Sequence, residues 1–176
     1  MTIRIALAGA GAFGIKHLDG LANIDGVEVT SLVGRTLEKT RATAEQHNIA
    51  HATTDLAETL ARDDVDAVIL ATPTPMHAHQ TIACLDAGKH VQVEIPLADS
   101  VGDARAVVAK QRATGLVAMC GHTRRFNPSH QWVRQQIQAG KFAIQQMDVQ
   151  TYFFRRTNTN ALGEAHSWTD HLLWHH

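Results

Sequence analysis

Short apolar runs alternate with longer helix-compatible segments along the chain, as far as about Gly121. The apolar runs predict strands over Ile3–Ala8, Val27–Val33, Ala67–Ala71, His90–Glu94 and Leu116–Cys120, with a shorter one near Ala50–Thr53. The segments between them predict helices over Phe13–Ala22, Leu37–His47, Leu56–Ala61, His77–Ala87 and Ser100–Thr114. Strands that are apolar throughout are typical of a parallel sheet covered by helices on both faces. The order strand–helix–strand therefore predicts an α/β fold built from βαβ units.

The pattern changes after Gly121. A polar turn with two adjacent arginines leads to a helix predicted over Ser129–Ala139, and the run Ile144–Phe154 then alternates in polarity and carries aromatic residues. Such a run is typical of a strand in a different, partly solvated sheet. We therefore predict a boundary at Gly121, with residues 1–121 as one domain and residues 122–176 as the beginning of a second.

The composition is that of an ordinary soluble globular protein, with 44% hydrophobic and 19% charged residues. A net charge of −1, from 16 Lys and Arg against 17 Asp and Glu, gives no general attraction to nucleic acid or an anionic membrane. No apolar run approaches membrane-spanning length and no signal segment precedes the first strand, so we expect a cytoplasmic protein. Cys84 and Cys120 lie in apolar runs and are expected to be reduced, inert thiols.

The first helix is preceded by the glycine pattern GAGAFG, Gly9 to Gly14. It follows a predicted strand and precedes a predicted helix, which is the context of a dinucleotide-binding fingerprint. In that fingerprint Gly9 permits the tight turn, Gly11 lets a pyrophosphate approach the backbone, and Gly14 lets the helix pack against the strand. The first helical turn, with Ala12 and Phe13, offers N–H groups to the phosphates. A Rossmann-type sheet that binds a dinucleotide is therefore predicted; the alternative is a glycine-rich turn that binds none.

The second strand ends at the corner Gly34-Arg35-Thr36, about twenty residues after the glycine pattern. An acidic residue at such a corner binds the ribose hydroxyls of NAD and repels a 2′-phosphate. No acidic residue is present here, whereas Arg35 can pair with a phosphate and Thr36 can donate a hydrogen bond to it. The corner therefore favours NADP as the cofactor, with weaker binding of NAD. The alternative is a solvated arginine followed by a threonine that caps the next helix.

The fourth strand is followed by ATPTPMHAHQ, Ala71 to Gln80, which contains two prolines. Prolines at the carboxyl end of a strand form a rigid turn beside the crevice in which ligands of open α/β sheets bind. Thr72, Pro73 and Thr74 are therefore candidates for cofactor contacts, and His77 is expected at the start of the next helix on the cofactor side. The alternative is a loop that carries a surface histidine.

These segments together resemble a known family. The runs ALAGAGAFG, ATPTPMH, HVQVEIPLA and GHTRRFNP and the region Asp170–His176 occur in the order found in Gfo/Idh/MocA oxidoreductases. The resemblance implies a Rossmann domain followed by an α/β domain with an open-faced, mainly antiparallel sheet, and hydride transfer between a nicotinamide cofactor and a substrate hydroxyl. Members are commonly nearly twice as long, so we expect an N-terminal fragment. The open sheet suits dimerisation, so the full-length protein is expected to be a homodimer.

Longer runs, such as QQMDVQTYFFRRTN and SWTDHLLWHH, are similar to a member of that family from aromatic catabolism, in the protocatechuate pathway of lignin degradation. This resemblance implies an NADP-dependent dehydrogenase that oxidises the cyclic hemiacetal of a dicarboxylate to a pyrone. The alternatives are a sugar or polyol dehydrogenase of the same family and a non-catalytic NADP-binding sensor.

The resemblance also implies catalytic residues, with one departure. The family often has Glu-Lys-Pro after the fifth strand, so Glu94 is a candidate for binding the cofactor. Ile95 stands in place of the lysine that helps to move the hydroxyl proton, and isoleucine cannot titrate, so a histidine is expected to be the base. His175 stands where the family has an acid, and with His176 it is the candidate catalytic pair. The family's catalytic histidine would then follow residue 176.

A pyran dicarboxylate carries two negative charges, which bidentate pairing with guanidinium groups would bind and orient. The candidate substrate-binding residues are two arginine pairs and two weaker candidates: Arg124, Arg125, Arg155, Arg156, Tyr152 and His171. Adjacent residues on a strand point to opposite sides, so one arginine of each pair is expected to be functional and the other solvated.

Several histidines raise the alternative of a metal site. His77 and His79 are close in sequence, as are His171, His175 and His176. No carboxylate-rich or cysteine-containing set completes a zinc site, so no metal is expected.

Overall fold

The computed structural model describes residues 2–150 and Thr159. Its strands are β1 (Ile3–Ala8), β2 (Val27–Val33), β3 (His51–Thr53), β4 (Ala67–Leu70), β5 (His90–Val93) and β6 (Ala118–Cys120). Its helices are α1 (Ala12–Leu21), α2 (Leu37–Gln46), α3 (Leu56–Leu60), α4 (Thr74–Asp86), α5 (Val101–Thr114) and α6 (Pro128–Gln138), with a 3-10 turn at Thr123–Phe126. The strands are all parallel and form one sheet in the order β3-β2-β1-β4-β5-β6.

The predicted parallel α/β sheet is confirmed, and the elements that form it lie within a few residues of their predicted positions. The largest difference is at α4, which begins at Thr74 rather than at His77. Pro75 explains this difference, because a proline in the first turn of a helix loses no hydrogen bond and its fixed φ suits the helix. The proline that predicted a turn is therefore part of the helix itself.

The central strand β1 is buried on both faces, which explains why it is apolar throughout. Ala6 and Ala8 belong to one core, together with Cys84 of α4. Leu7 belongs to the core on the other face, together with Leu18 of α1. Burial raises the pKa of the Cys84 thiol to about 12, so this thiol stays protonated at neutral pH.

The strand order reverses at β1, because β2 and β3 lie on one side of it and β4 on the other. Ala8 is level with Val33 of β2 and with Leu70 of β4. In open parallel sheets such a reversal leaves a crevice at the carboxyl ends of the strands, where ligands bind. The loops that begin at Gly9, Gly34 and Ala71 therefore start at the same edge of the sheet.

The residues after β6 lie largely on the surface. Asn127 caps α6 by accepting a hydrogen bond from the Ser129 backbone N–H at 3.0 Å, and no residue of α6 is buried. The predicted strand Ile144–Phe154 is wrong over residues 144–150, which are exposed and form no strand. The physical reason is that no described strand lies beside them to complete their backbone hydrogen bonds.

The rest of that predicted strand lies outside the described residues, and the domain boundary at Gly121 stays a prediction. Among residues 2–150, none of the helices is long and apolar enough to cross a membrane.

Candidate functional site

Two glycines hold the loop between β1 and α1 against its neighbours. Gly9 has a φ of +110°, and a Cβ atom there would overlap the carbonyl group of Ala71. A Cβ atom at Gly14 would overlap the carbonyl oxygen of Gly9 and lie 3.5 Å from Cδ2 of Leu7. Both overlaps involve backbone atoms that cannot turn away, and a positive φ favours glycine, so other residues fit poorly at either position. The loop is thereby packed directly against α1 and the end of β4.

The outer side of the same loop is open. Gly11 is the N-cap of α1, and a Cβ atom there would have no other atom within 4 Å. Gly11, Ala12 and Phe13 are exposed, and the first N–H groups of a helix have no acceptor within the helix. The Nζ atom of Lys16 lies 5.5 Å from the centre of the Phe13 ring and adds positive charge nearby. A pyrophosphate fits this helix end by charge, by hydrogen bonding and by space.

The corner after β2 has a steric reason for its missing acid. The Gly34 N–H donates to the carbonyl oxygen of Thr53 at 3.0 Å. A Cβ atom at Gly34 would overlap Oγ1 of Thr40 and lie 3.2 Å from both Cβ and Cγ2 of that residue. Thr40 is buried, and its hydroxyl donates to the Thr36 carbonyl at 2.8 Å, so its side chain cannot easily turn away. Position 34 therefore excludes an acidic side chain by packing.

Arg35 and Thr36, the next two residues, are exposed. Thr36 occupies the N-cap position of α2, as the alternative interpretation of this corner expected. Its hydroxyl accepts no hydrogen bond from the backbone N–H groups of α2, however, so Thr36 does not cap the helix with its side chain. The two residues therefore place an arginine and a threonine next to each other in the chain, just after the carboxyl end of β2.

Side chains of α4 hold the loop between β4 and α4 in place through contacts with Thr72. The Thr72 hydroxyl donates to Oε1 of Gln80 at 2.6 Å. His77 is only 1% exposed, with Nε2 2.7 Å from the Thr72 carbonyl oxygen and Nδ1 2.7 Å from that of Pro96. The alternative of a surface histidine is therefore wrong. Thr74 is buried as well, whereas Pro73 is exposed on the loop.

Glu94, at the end of β5, forms a half-buried pair with His17 of α1. The distance from His17 Nε2 to Glu94 Oε1 is 2.8 Å, and Gln92 Nε2 lies 3.4 Å from the same oxygen. Burial alone would raise the pKa of Glu94, but the hydrogen bond and the charge of His17 outweigh it, so the pKa is lowered. Gly121 packs closely against this pair, since a Cβ atom there would lie 3.1 Å from Oε1 of Glu94. Glu94 is therefore held as a carboxylate, beside a cavity of about 380 Å³.

The proposed substrate residues are described only in part. Arg124 and Arg125 lie in the exposed 3-10 turn that follows β6. The other candidates lie outside the described residues: Tyr152, Arg155, Arg156, His171, His175 and His176. His77 and His79 form no metal site, because carbonyl oxygens occupy both ring nitrogens of His77. In the described part of the chain, no group of three or more His, Cys, Asp or Glu residues could hold a metal ion.

The sequence alone did not single out three of these residues. Lys16 and His17 lie within the first two turns of α1, and Gln80 lies one helical turn after His77. Helical spacing was the available signal, since residues three apart share a face of a helix. Helical spacing does not, however, reveal which residues Lys16, His17 and Gln80 contact.

Two family descriptions match the chain. Residues 3–122 match the oxidoreductase family with the NAD-binding Rossmann fold (Gfo/Idh/MocA), and residues 128–176 match the C-terminal region of bacterial oxidoreductases. The chain belongs to the Gfo/Idh/MocA oxidoreductase family. The first match spans the whole six-stranded sheet, which is therefore a nicotinamide-binding Rossmann fold.

Two curated proteins and one crystal structure are similar to this chain. A 4-carboxy-2-hydroxymuconate-6-semialdehyde dehydrogenase from a Sphingobium species is 69% identical over 174 residues, which are 99% of this chain and 55% of that protein. An inositol 2-dehydrogenase from Rhodococcus erythropolis is 35% identical over 140 residues, 78% of this chain and 40% of that protein. The crystal structure of a 3-ketoreductase from Actinomadura kijaniata, in complex with TDP-benzene and NADP, has a TM-score of 0.73 and 28% identity, over 80% of this chain and 44% of that one. The chain thus spans about half the length of the curated relatives it matches.

Proposed function

We propose that this chain is the cofactor-binding part of an NADP-dependent dehydrogenase. Its substrate would be the cyclic hemiacetal of 4-carboxy-2-hydroxymuconate-6-semialdehyde, and its product would be 2-pyrone-4,6-dicarboxylate. The observation that carries this proposal is the 69% identity over 174 residues to a protein named for that activity. The alignment includes 99% of this chain, so it contains the glycine loop as well as the arginine pairs.

The adenosine end of NADP would lie at the corner after β2. Packing at Gly34 excludes the acid that would repel a 2′-phosphate, and Arg35 and Thr36 are exposed beside it. The phosphate would accept a charge-assisted hydrogen bond from Arg35 and a second one from the Thr36 hydroxyl. The 3-ketoreductase that shares this fold was crystallised with NADP, which agrees with this choice.

The reaction would take place at the nicotinamide end of the crevice. When bound, the nicotinamide would accept the hydride of the hemiacetal carbon. The C–H bond breaks, the hydroxyl oxygen loses its proton to a base, and the C–O bond becomes the carbonyl of the pyrone. Ile95 cannot take this proton, so we assign the role of base to a histidine, for which His175 and His176 are the candidates within this chain.

The two substrate carboxylates would pair with arginines. Arg124 or Arg125, in the turn after β6, would bind one of them, and Arg155 or Arg156 the other. Two guanidinium clamps fix the rotation of the ring as well as its position, and such orientation lowers the barrier to hydride transfer. The carboxylate of Glu94, locked by His17, would keep the adjoining segment in place.

A second candidate is a polyol dehydrogenase, because an inositol 2-dehydrogenase is 35% identical to this chain over 140 residues. Ile95 and the arginine pairs favour the dicarboxylate. A neutral polyol needs no guanidinium partner, and its hydroxyl is less acidic than that of a hemiacetal, so it depends more on a base.

Turnover by the full-length protein that contains this chain tests the proposal. NADP is added with either the semialdehyde or myo-inositol, and the absorbance of the reduced nicotinamide is followed. Reduction with the semialdehyde, and formation of the pyrone dicarboxylate, is the expected result. Turnover of inositol alone would contradict the proposal, and tight NADP binding without turnover of either substrate would indicate a sensor.

A further inference from the structure

We propose that His77 is a positioning residue that ties together the two loops bordering the nicotinamide end of the crevice. The inference rests on the proposed dinucleotide site. One loop follows β4 and contains Thr72; the other follows β5 and contains Pro96. The His77 ring lies between them, with Nε2 2.7 Å from the Thr72 carbonyl oxygen and Nδ1 2.7 Å from the Pro96 carbonyl oxygen.

Both contacts of the ring are with main-chain oxygens. The partners are carbonyl oxygens, which only accept hydrogen bonds, so the ring is the donor. An N–H group of the ring donates to one of these oxygens, and the other ring nitrogen lies equally close to the second. The side chain is only 1% exposed, so solvent does not compete for these contacts.

The loop that His77 holds after β4 is also in contact with the glycine loop after β1. A Cβ atom at Gly9 would overlap the Ala71 carbonyl and lie 3.0 Å from the Thr72 backbone nitrogen, so Gly9 packs on the segment that His77 holds. Gln80 fixes the Thr72 side chain while His77 fixes its carbonyl, and both come from the same helix. A shift of this loop would therefore move the surface on which the dinucleotide lies.

The other loop carries the segment Glu94-Ile95-Pro96. Glu94 is anchored by His17 at 2.8 Å, and Pro96 by His77, so the segment is held at both ends by histidines from different helices. Loss of the His77 ring nitrogens would release one end of the segment and the loop after β4 together. The expected consequence is weaker cofactor binding and slower turnover in a protein that remains folded.

The test uses the full-length protein with His77→Phe and, in case that variant does not fold, His77→Gln, which keeps a donor on one side. Leu85→Val is the control, because Leu85 is equally buried in α4 but lies in the core beneath the sheet. Titration calorimetry gives the Kd for NADP and for NAD, and thermal unfolding gives the Tm. Both His77 variants should weaken NADP and NAD to a similar degree, by about tenfold, and should lower kcat, with the larger effect in His77→Phe, which keeps neither contact.

Two results would overturn the tie or separate it from the proposed function. If the His77 variants have a lower Tm but unchanged Kd and kcat, as expected for Leu85→Val, His77 is a structural residue only. If the wild-type protein binds neither dinucleotide, the proposed function fails, while the Tm of the two His77 variants against that of Leu85→Val still measures what the contacts with Thr72 and Pro96 contribute to the fold.

Discussion

Gly34 and Thr40 pack so closely that no side chain fits at position 34. A Cβ atom there would overlap the Thr40 hydroxyl, which is buried and bonded to the Thr36 carbonyl at 2.8 Å. The absence of an acid at position 34 therefore follows from how the end of β2 packs against α2. Arg35 and Thr36, the next two residues, are polar and exposed.

Gly34→Asp should destabilise the protein and should not convert it to an NAD enzyme. Thr40 would have to move within a packed region, which costs about 1–3 kcal/mol. Gly20→Ala is the matched control, because that glycine lies inside α1 with no atom within 4 Å of its Cβ position. The control should be neutral or stabilising by about 0.5–1 kcal/mol. Urea unfolding measures both, and an unchanged stability of Gly34→Asp would refute the steric account.

Gly9→Ala and Gly14→Ala should abolish dinucleotide binding. The first places a Cβ at a φ of +110° against the Ala71 carbonyl, and the second places one against the Gly9 carbonyl. Strain of this kind costs on the order of 1–3 kcal/mol and moves the loop that receives the pyrophosphate. Gly11→Ala meets no atom within 4 Å and should retain the fold while the added methyl group weakens binding. Calorimetric titration with NADP, together with circular dichroism, separates these effects; full NADP affinity in Gly14→Ala would contradict the assignment.

Much of this arrangement follows from local sequence, because apolar runs, glycines and prolines act within a few residues. The glycine pattern predicted both the tight turn at Gly9 and the open face at Gly11. The pair between His17 and Glu94 joins residues 77 positions apart, and no local pattern indicates it. The burial of His77 was missed for the same reason, since its partner Pro96 lies 19 residues further along the chain, in the loop after the neighbouring strand β5.

Acid should destabilise the amino end of the sheet through Asp66. The side chain and backbone N–H of Arg4 donate to this carboxylate, and they lower the pKa of Asp66 to about 2. The unfolded chain has an ordinary aspartate pKa of about 3.9, so the native state binds fewer protons between these values. The stabilisation is therefore present above about pH 4 and is lost as the pH falls toward 2.

Asp66→Asn tests this linkage by removing the titrating group. The variant should be less stable than the wild type at pH 7, and the difference should shrink as the pH falls from 5 to 2.5. Arg4→Met removes the side-chain donors but keeps the backbone N–H, so it should give the same trend with a smaller change. Unfolding by guanidinium chloride at several pH values measures the difference, and a gap that stays constant with pH would show that Asp66 is not the linked group.

Arg35→Ala should lower the affinity for NADP and leave that for NAD nearly unchanged. Loss of a hydrogen bond between charged groups costs about 1.5–3 kcal/mol, which is roughly a 10- to 150-fold change in Kd. Arg105→Ala, an exposed arginine of α5 far along the chain, serves as the control and should change neither affinity. Equal weakening of both cofactors by Arg35→Ala would make Arg35 a surface for adenine rather than a phosphate ligand.

The ratio of kcat/KM for NADP to that for NAD, measured with the semialdehyde and the full-length protein, tests the central claim most directly. The account predicts that the wild-type protein oxidises the hemiacetal with a ratio well above one, and that Arg35→Ala brings the ratio close to one by reducing the NADP value. A wild-type ratio at or below one, or a ratio that Arg35→Ala does not change, would contradict the assignment of this corner to the 2′-phosphate.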